Sequence, residues 1–275
     1  MNIAIVGLGL MGGSLALSLK KLDFIESIAG SDHNKQHQKD AIRLGLVDKI
    51  VEFDKIKEAD VIFLAIPVNG IIESLKKLQD VKKETTIIDL GSTKELIVSS
   101  VPPKIRANFV AAHPMTGTEN FGPNAAIDGL YKDKTVVLCD LEDSGEIQKN
   151  TAKKIFKALE MKKYFMHSKE HDRHAAFISH MPHAISYSIA NTVMKQEDKN
   201  NILALAAGGF RSMSRLAKSS PSMWEDVFKQ NKNNILEAID LFEIELQSLK
   251  KSIENDEWEK VYNDMANGKK LHDIF

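Results

Sequence analysis

The chain has 275 residues, 43% hydrophobic and 27% charged, with a formal net charge of −1, enough for one large or two ordinary domains with their own cores. This near-neutral balance gives no electrostatic case for nucleic acid or an anionic membrane as a partner. One cysteine, Cys139, excludes an intramolecular disulfide and a thiolate metal cluster; with no basic leader and no apolar run of about 18 residues, the expected compartment is the cytoplasm.

Residues 3–6 are continuously apolar, as a strand buried on both faces should be. Residues 27–31, 61–66, 86–90, 109–112, 135–139 and 162–166 read as further strands. Amphipathic segments at 14–21, 35–44, 70–78 and 146–159 alternate with them, the pattern of a doubly wound, mostly parallel α/β sheet of Rossmann type. After His167 the strand signals stop and helices follow, which predicts a dinucleotide-binding domain over 1–167 and a helical substrate and dimerisation domain over 168–275. Ile235, Ile239, Phe242, Leu246, Leu249 and Ile253 step by four and three along one helix face, and Leu236, Leu241 and Ile244 widen it. A core helix of a monomeric bundle would carry such a stripe. A helix this long in so small a domain favours packing against a second copy.

The first turn reads Gly7-Leu8-Gly9-Leu10-Met11-Gly12. A pyrophosphate is held by backbone N–H groups at a helix N-terminus, reached through a turn without side chains. Gly7 suits the tight turn, Gly9 the close approach of the phosphates, and Gly12 the packing of helix on strand. The motif follows a strand, precedes a helix, and has Asp32 twenty residues beyond Gly12. A carboxylate there accepts from the adenosine ribose hydroxyls and repels a 2′-phosphate, so NAD is expected over NADP; the neighbouring His33 weakens that preference.

Ligands of open α/β sheets sit beyond the carboxyl ends of the strands. Ala65, Ile66 and Pro67 end one predicted strand as a non-polar wall to the cofactor. The run Asp89 to Lys94 ends the next, with Ser92 and the Lys94 ammonium expected at the same edge. His113 follows the strand 109–112. Hydride loss from an alcohol carbon needs help at the hydroxyl, and a histidine suits; a strand-capping histidine is the plainer alternative.

With residues 7–16, 89–94, 113–119, 179–183 and 208–218 followed by Trp224, the chain resembles the prephenate and arogenate dehydrogenases of tyrosine biosynthesis over nearly its whole length. The resemblance implies a Rossmann domain followed by a helical domain forming most of a homodimer contact. It implies NAD-dependent oxidative decarboxylation of prephenate to 4-hydroxyphenylpyruvate, or of arogenate to tyrosine. By it His113 is the catalytic histidine on the substrate hydroxyl, and Ser92 orients that hydroxyl and the nicotinamide. Thr118 and Glu119 would lie at the entrance, Arg215 would bind a substrate carboxylate, and His183 and Trp224 would line the pocket. The family usually has an acidic residue three before that arginine; this chain has Ser212. No room is expected for a fused mutase or an appended regulatory domain.

His167, His171, His174, His180 and His183 raise a metal hypothesis, but no H-E-x-x-H pattern appears and hydride transfer needs no metal. Of the five, His183 and His180 are expected to face the substrate and the rest to lie at the surface or in helix packing. A 3-hydroxyacid dehydrogenase or imine reductase would use a lysine or aspartate on a helix, and a non-catalytic dinucleotide sensor would need no base.

Overall fold

The computed structural model describes residues 1–274. Eight strands form one sheet in the order β3-β2-β1-β4-β5-β6-β7-β8: β1 (Asn2–Val6), β2 (Ser27–Ser31), β3 (Lys49–Ile50), β4 (Val61–Leu64), β5 (Thr86–Asp89), β6 (Phe109–Pro114), β7 (Thr135–Cys139) and β8 (Lys162–Met166). Every pairing is parallel except β6 with β7. Chain order reverses beside β1, between β2 and β4, which creates a crevice at the carboxyl ends of those strands. Five helices cross over between strands: α1 (Leu10–Leu19), α2 (Lys35–Arg43), α3 (Val68–Lys77), α4 (Glu95–Ser99) and α5 (Glu146–Ala158).

Alternate residues of each strand serve opposite faces. Ile3 and Ile5 join a core with Leu15, Leu19, Tyr131 and Phe156 on one face. Ala4 and Val6 join Ile71, Leu75, Ile97 and Ile105 on the other. α1 starts four residues before the amphipathic pattern predicts, because Gly12 and Gly13 fall inside it and glycine reads as a helix breaker. The two-residue β3 is too short for periodicity to reveal. β6 extends to Pro114, so His113 lies within the strand, paired with Val137 of β7.

From Ser168 the chain is helical. α6 (Ser168–Ala175) continues through a π-turn (Ala176–His180) into α7 (Met181–Met194). Pro182 is the second residue of α7; the wider π-turn just before it absorbs the missing N–H and the ring, so the helix runs on. There follow α8 (Lys199–Ala204), α9 (Gly208–Ser214), a 3₁₀ turn at Arg215–Lys218, α10 (Pro221–Gln230), the long α11 (Lys232–Glu254) and α12 (Trp258–Lys269). The apolar core here is small: Ala176, Ile235 and Ala238, with Phe177, Met181, Phe228 and Ile239 packed on it. Leu241, Ile244 and Leu246 of α11 and Trp258, Tyr262 and Met265 of α12 are exposed. Among the described residues no helix is long and apolar enough to cross a membrane.

Candidate active site

The glycine turn fits a dinucleotide. Gly7 has φ of +91°, and a Cβ there would overlap the Ala65 carbonyl and the Ile66 side chain. A Cβ on Gly12 would overlap the Gly7 carbonyl oxygen. Above Gly9 there is room: a Cβ would come no nearer than 3.9 Å to any neighbour, the Gly122 nitrogen. Gly9 caps α1 without a side-chain bond, so the first N–H groups of the helix face that space uncapped. One Asp32 oxygen accepts from Leu8 N and the other from Asn34 N, both at 2.8 Å. Each oxygen keeps a lone pair for a ribose hydroxyl. His37 and His33 stand at 3.5 and 3.6 Å from the same carboxylate. The side chains of Leu8 and Leu10 are core, so their contribution to a cofactor is backbone only. The Met11 carbonyl accepts the Tyr131 hydroxyl at 2.8 Å. Ala65, Ile66 and Pro67 follow β4 directly, beside Gly7.

Ser92 follows β5 and is partly exposed. The Lys94 ammonium, expected at the open edge, is instead fully buried. It pairs with Asp89 and donates to the Ala112 carbonyl at 2.8 Å, while the other Asp89 oxygen accepts from Ala112 N at 3.1 Å. A buried ammonium must be paired, and this pair clamps the end of β5 to β6, one residue before His113. Ser92 and His113 thus leave adjacent strand ends.

His113 Nδ1 lies 2.8 Å from His171 Nε2, with the rings edge to face at 5.0 Å. His171 Nδ1 lies 2.8 Å from Asp172 Oδ1. Asp172 in turn accepts from Lys94 N at 2.7 Å and Glu95 N at 2.9 Å. Burial, reinforced by the charges of His171, Lys94 and His180, holds the His113 pKa well below the usual histidine value, so its ring is neutral. His171 was expected at the surface or in helix packing; the structure buries it against His113. The signal existed in the sequence: Ser168, His171, Asp172, Ala175 and Ala176 share the buried face of α6 and its extension, so polar groups occupy core positions there and need partners.

The helical half supplies a second group. His183 stacks on Trp224 at 3.5 Å between centroids, and its Nδ1 bonds the Ser179 carbonyl at 2.9 Å. His180 meets the Trp224 edge at 5.9 Å, and its Nδ1 lies 3.0 Å from Asn231 Nδ2. The buried His180 Nε2 and Trp224 Nε1 have no partner among the described residues. Arg215 reaches Glu119 at 3.5 Å, an exposed pair that joins α9's end to the loop after β6. Thr118 is exposed and its hydroxyl accepts from Asn120 N at 3.2 Å. His167 stands with Asp140 and Glu142, the one grouping of metal-ligating side chains among the described residues; Asp140 is already occupied by the Ser168 N–H.

Residues 15–164 match the family model described as prephenate dehydrogenase, nucleotide-binding domain, and residues 167–267 the one described as prephenate dehydrogenase, dimerization domain. The chain is 30% identical to a prephenate dehydrogenase of Bacillus subtilis, covering 99% of this chain and 75% of that protein. It is 34% identical to one of Lactococcus lactis, covering 98% and 76%. The crystal structure of prephenate dehydrogenase from Aquifex aeolicus with hydroxyphenyl propionate and NAD⁺ superposes with a TM-score of 0.93 at 31% identity, covering 100% of this chain and 98% of that one. Synechocystis arogenate dehydrogenase gives 0.82 at 25% identity, with 100% and 99% covered.

Proposed function

Because the chain belongs to the prephenate dehydrogenase family, we propose that it oxidises prephenate with NAD⁺ to 4-hydroxyphenylpyruvate and CO₂, as a cytoplasmic homodimer. Residues 1–167 bind the dinucleotide, and residues 168–275 complete the substrate pocket and form the dimer contact. The observation that carries the reading is a neutral His113 at the strand edge shared with Ser92 and the open glycine turn.

NAD⁺, when bound, accepts the hydride. The N–H groups at the start of α1 hold its pyrophosphate and Asp32 its ribose; the Asp32 carboxylate disfavours a 2′-phosphate, which selects NAD over NADP. His113 Nε2 accepts the hydrogen bond of the ring hydroxyl, and Ser92 orients that hydroxyl. As hydride leaves the hydroxyl-bearing carbon, the bond to the ring carboxylate breaks and its electron pair enters the ring, which becomes aromatic. The hydroxyl proton, shared with His113 meanwhile, stays on the phenol product. Arg215, now paired with Glu119, binds a substrate carboxylate, and the His183–Trp224 stack walls the pocket. Orientation of this kind supplies most of what the reaction requires, because aromatisation drives it.

The test is NADH or NADPH formation with prephenate and with arogenate, each supplied with NAD⁺ and NADP⁺. Turnover of prephenate with NAD⁺ is expected to exceed the other three combinations. Preference for arogenate would replace the substrate, and absence of turnover in all four would refute the dehydrogenase reading.

A further inference from the structure

The His113–His171–Asp172 chain joins the sheet to the helical half. Its polarity can be worked out from its far end. Both Asp172 oxygens receive backbone N–H groups, from Lys94 at 2.7 Å and Glu95 at 2.9 Å, which favours the ionised, accepting carboxylate. His171 Nδ1, 2.8 Å from Asp172 Oδ1, therefore carries the hydrogen. In a neutral imidazole the other nitrogen is then an acceptor, so His171 Nε2 receives a hydrogen from His113 Nδ1 across 2.8 Å. That leaves the His113 Nε2 lone pair free.

We propose that His171 and Asp172 are positioning residues that hold His113 in the Nδ1–H tautomer and stabilise the partial positive charge it gains while it shares the substrate hydroxyl's hydrogen. This rests on the role of His113 given above. The charged and titratable groups facing His113 are His171 from α6, with Asp172 behind it, Lys94 with its partner Asp89 from the end of β5, and His180 from the π-turn. Of these only Asp172 supplies unspent negative charge, because Asp89 is matched by Lys94. Asp172 is further fixed by its own carbonyl, which accepts from Asn231 Nδ2 at 2.6 Å, so α11 also anchors the chain.

The experiment uses the full chain with ring-¹⁵N histidine, His113 being assigned by its loss in His113→Asn. Protonated Nδ1 and unprotonated Nε2 are expected on His113, with and without NAD⁺. In Asp172→Asn the amide oxygen takes the Oδ1 position, where it accepts from both Lys94 N and His171 Nδ1, so the tautomers persist while the negative charge behind His171 is lost. Then kcat should fall about a hundredfold, with NAD⁺ affinity retained and the acidic limb of the kcat/KM profile moved to lower pH. His171→Gln offers an acceptor oxygen to His113 Nδ1 but cannot carry charge toward Asp172. It should lose about tenfold in kcat and His171→Leu about a hundredfold, both with the acidic limb of the kcat/KM profile moved to lower pH. The two His171 variants decide the matter if Asp172→Asn does not fold. A wild-type proton on His113 Nε2, or kcat within twofold of wild type in His171→Leu, would overturn the proposal. Should neither prephenate nor arogenate be oxidised while the wild-type ring states are as described, the dehydrogenase reading fails and the tautomer assignment stands.

Discussion

The two halves of the molecule close their cores differently. In the sheet half, the central strands bury both faces under helices of the same chain, Val61–Leu64 and Thr86–Asp89 at every residue, and only the edge strand β8 leaves large side chains, Tyr164 and Phe165, exposed. In the helical half, the clustered apolar core is Ala176, Ile235 and Ala238 with a few partners, and Trp224, Val227 and Val261 are buried beside it. Leu241, Ile244 and Leu246 stay exposed on α11. Exposed apolar residues along one helix suit an interface, and the matched family model is described as a dimerization domain. The central sheet is therefore covered by its own chain, whereas the helical half, on the proposed dimer reading, depends on a second copy to cover the apolar residues of α11 and α12.

The largest effect should come from breaking that dependence. Leu241→Asp with Ile244→Asp places four unpaired carboxylates in the symmetric contact. Each costs several kcal/mol if buried, so the dimer dissociation constant should rise by more than about 10⁴-fold. Sedimentation should show a monomer, NAD⁺ binding to the sheet half should persist, and a dimer of unchanged affinity would refute the assignment of this face. Next in size is His113→Asn, which leaves both cores intact and should lower kcat about 10²–10⁴-fold with little change in NAD⁺ affinity. Unchanged kcat would remove His113 from the reaction.

The same contrast governs what could be read before the fold was known. Strands 27–31, 135–139 and 162–166 coincide with those observed: Thr135–Cys139 is legible as a β-branched and apolar run, and the other two by their place in the alternation with amphipathic helices. The glycine turn was legible for a similar reason: local sterics at Gly7 and Gly12 admit nothing larger. The dyad behind His113 was not. His171 is 58 residues away in sequence, and only the docking of α6 onto the end of β6 brings the rings together. Lys94 misled in the opposite sense: a lysine at a strand end reads as solvent-facing until Asp89, five residues earlier, proves to be buried with it. Arg215 and Glu119 were both named from the resemblance, yet their pairing across 96 residues depends on how the helical half sits against the loop after β6.

Within the sheet half, two glycines separate packing from ligand binding. Gly12→Ala forces a methyl into the Gly7 carbonyl and should cost about 3 kcal/mol, lowering Tm by roughly 6–12 °C. Gly9→Ala meets no protein atom closer than 3.9 Å, so Tm should hold while NAD⁺ affinity falls at least about tenfold as the methyl occupies phosphate space. Equal Tm losses in the two variants would mean that Gly9 also serves packing.

The smallest effect tests the helical half through pH. Burial lowers the His180 pKa to about 4, the charge of Asp172 opposing this and those of His171 and His183 adding to it. The unfolded chain, with an ordinary histidine value of about 6.5, binds a proton that the folded state refuses between those limits. Stability is therefore full above about pH 6.5 and falls as pH drops toward 4; the loss should be roughly 2 kcal/mol by pH 5. His180→Gln removes the titrating ring, so its stability should decline less than wild type over the same range by about that amount. Chemical denaturation at pH 7 and pH 5, followed by the fluorescence of Trp224, which His180 touches, measures the difference. Parallel curves for the two proteins would mean that His180 is solvated or protonated in the folded dimer, and that the junction between the halves is wetter than its packing implies.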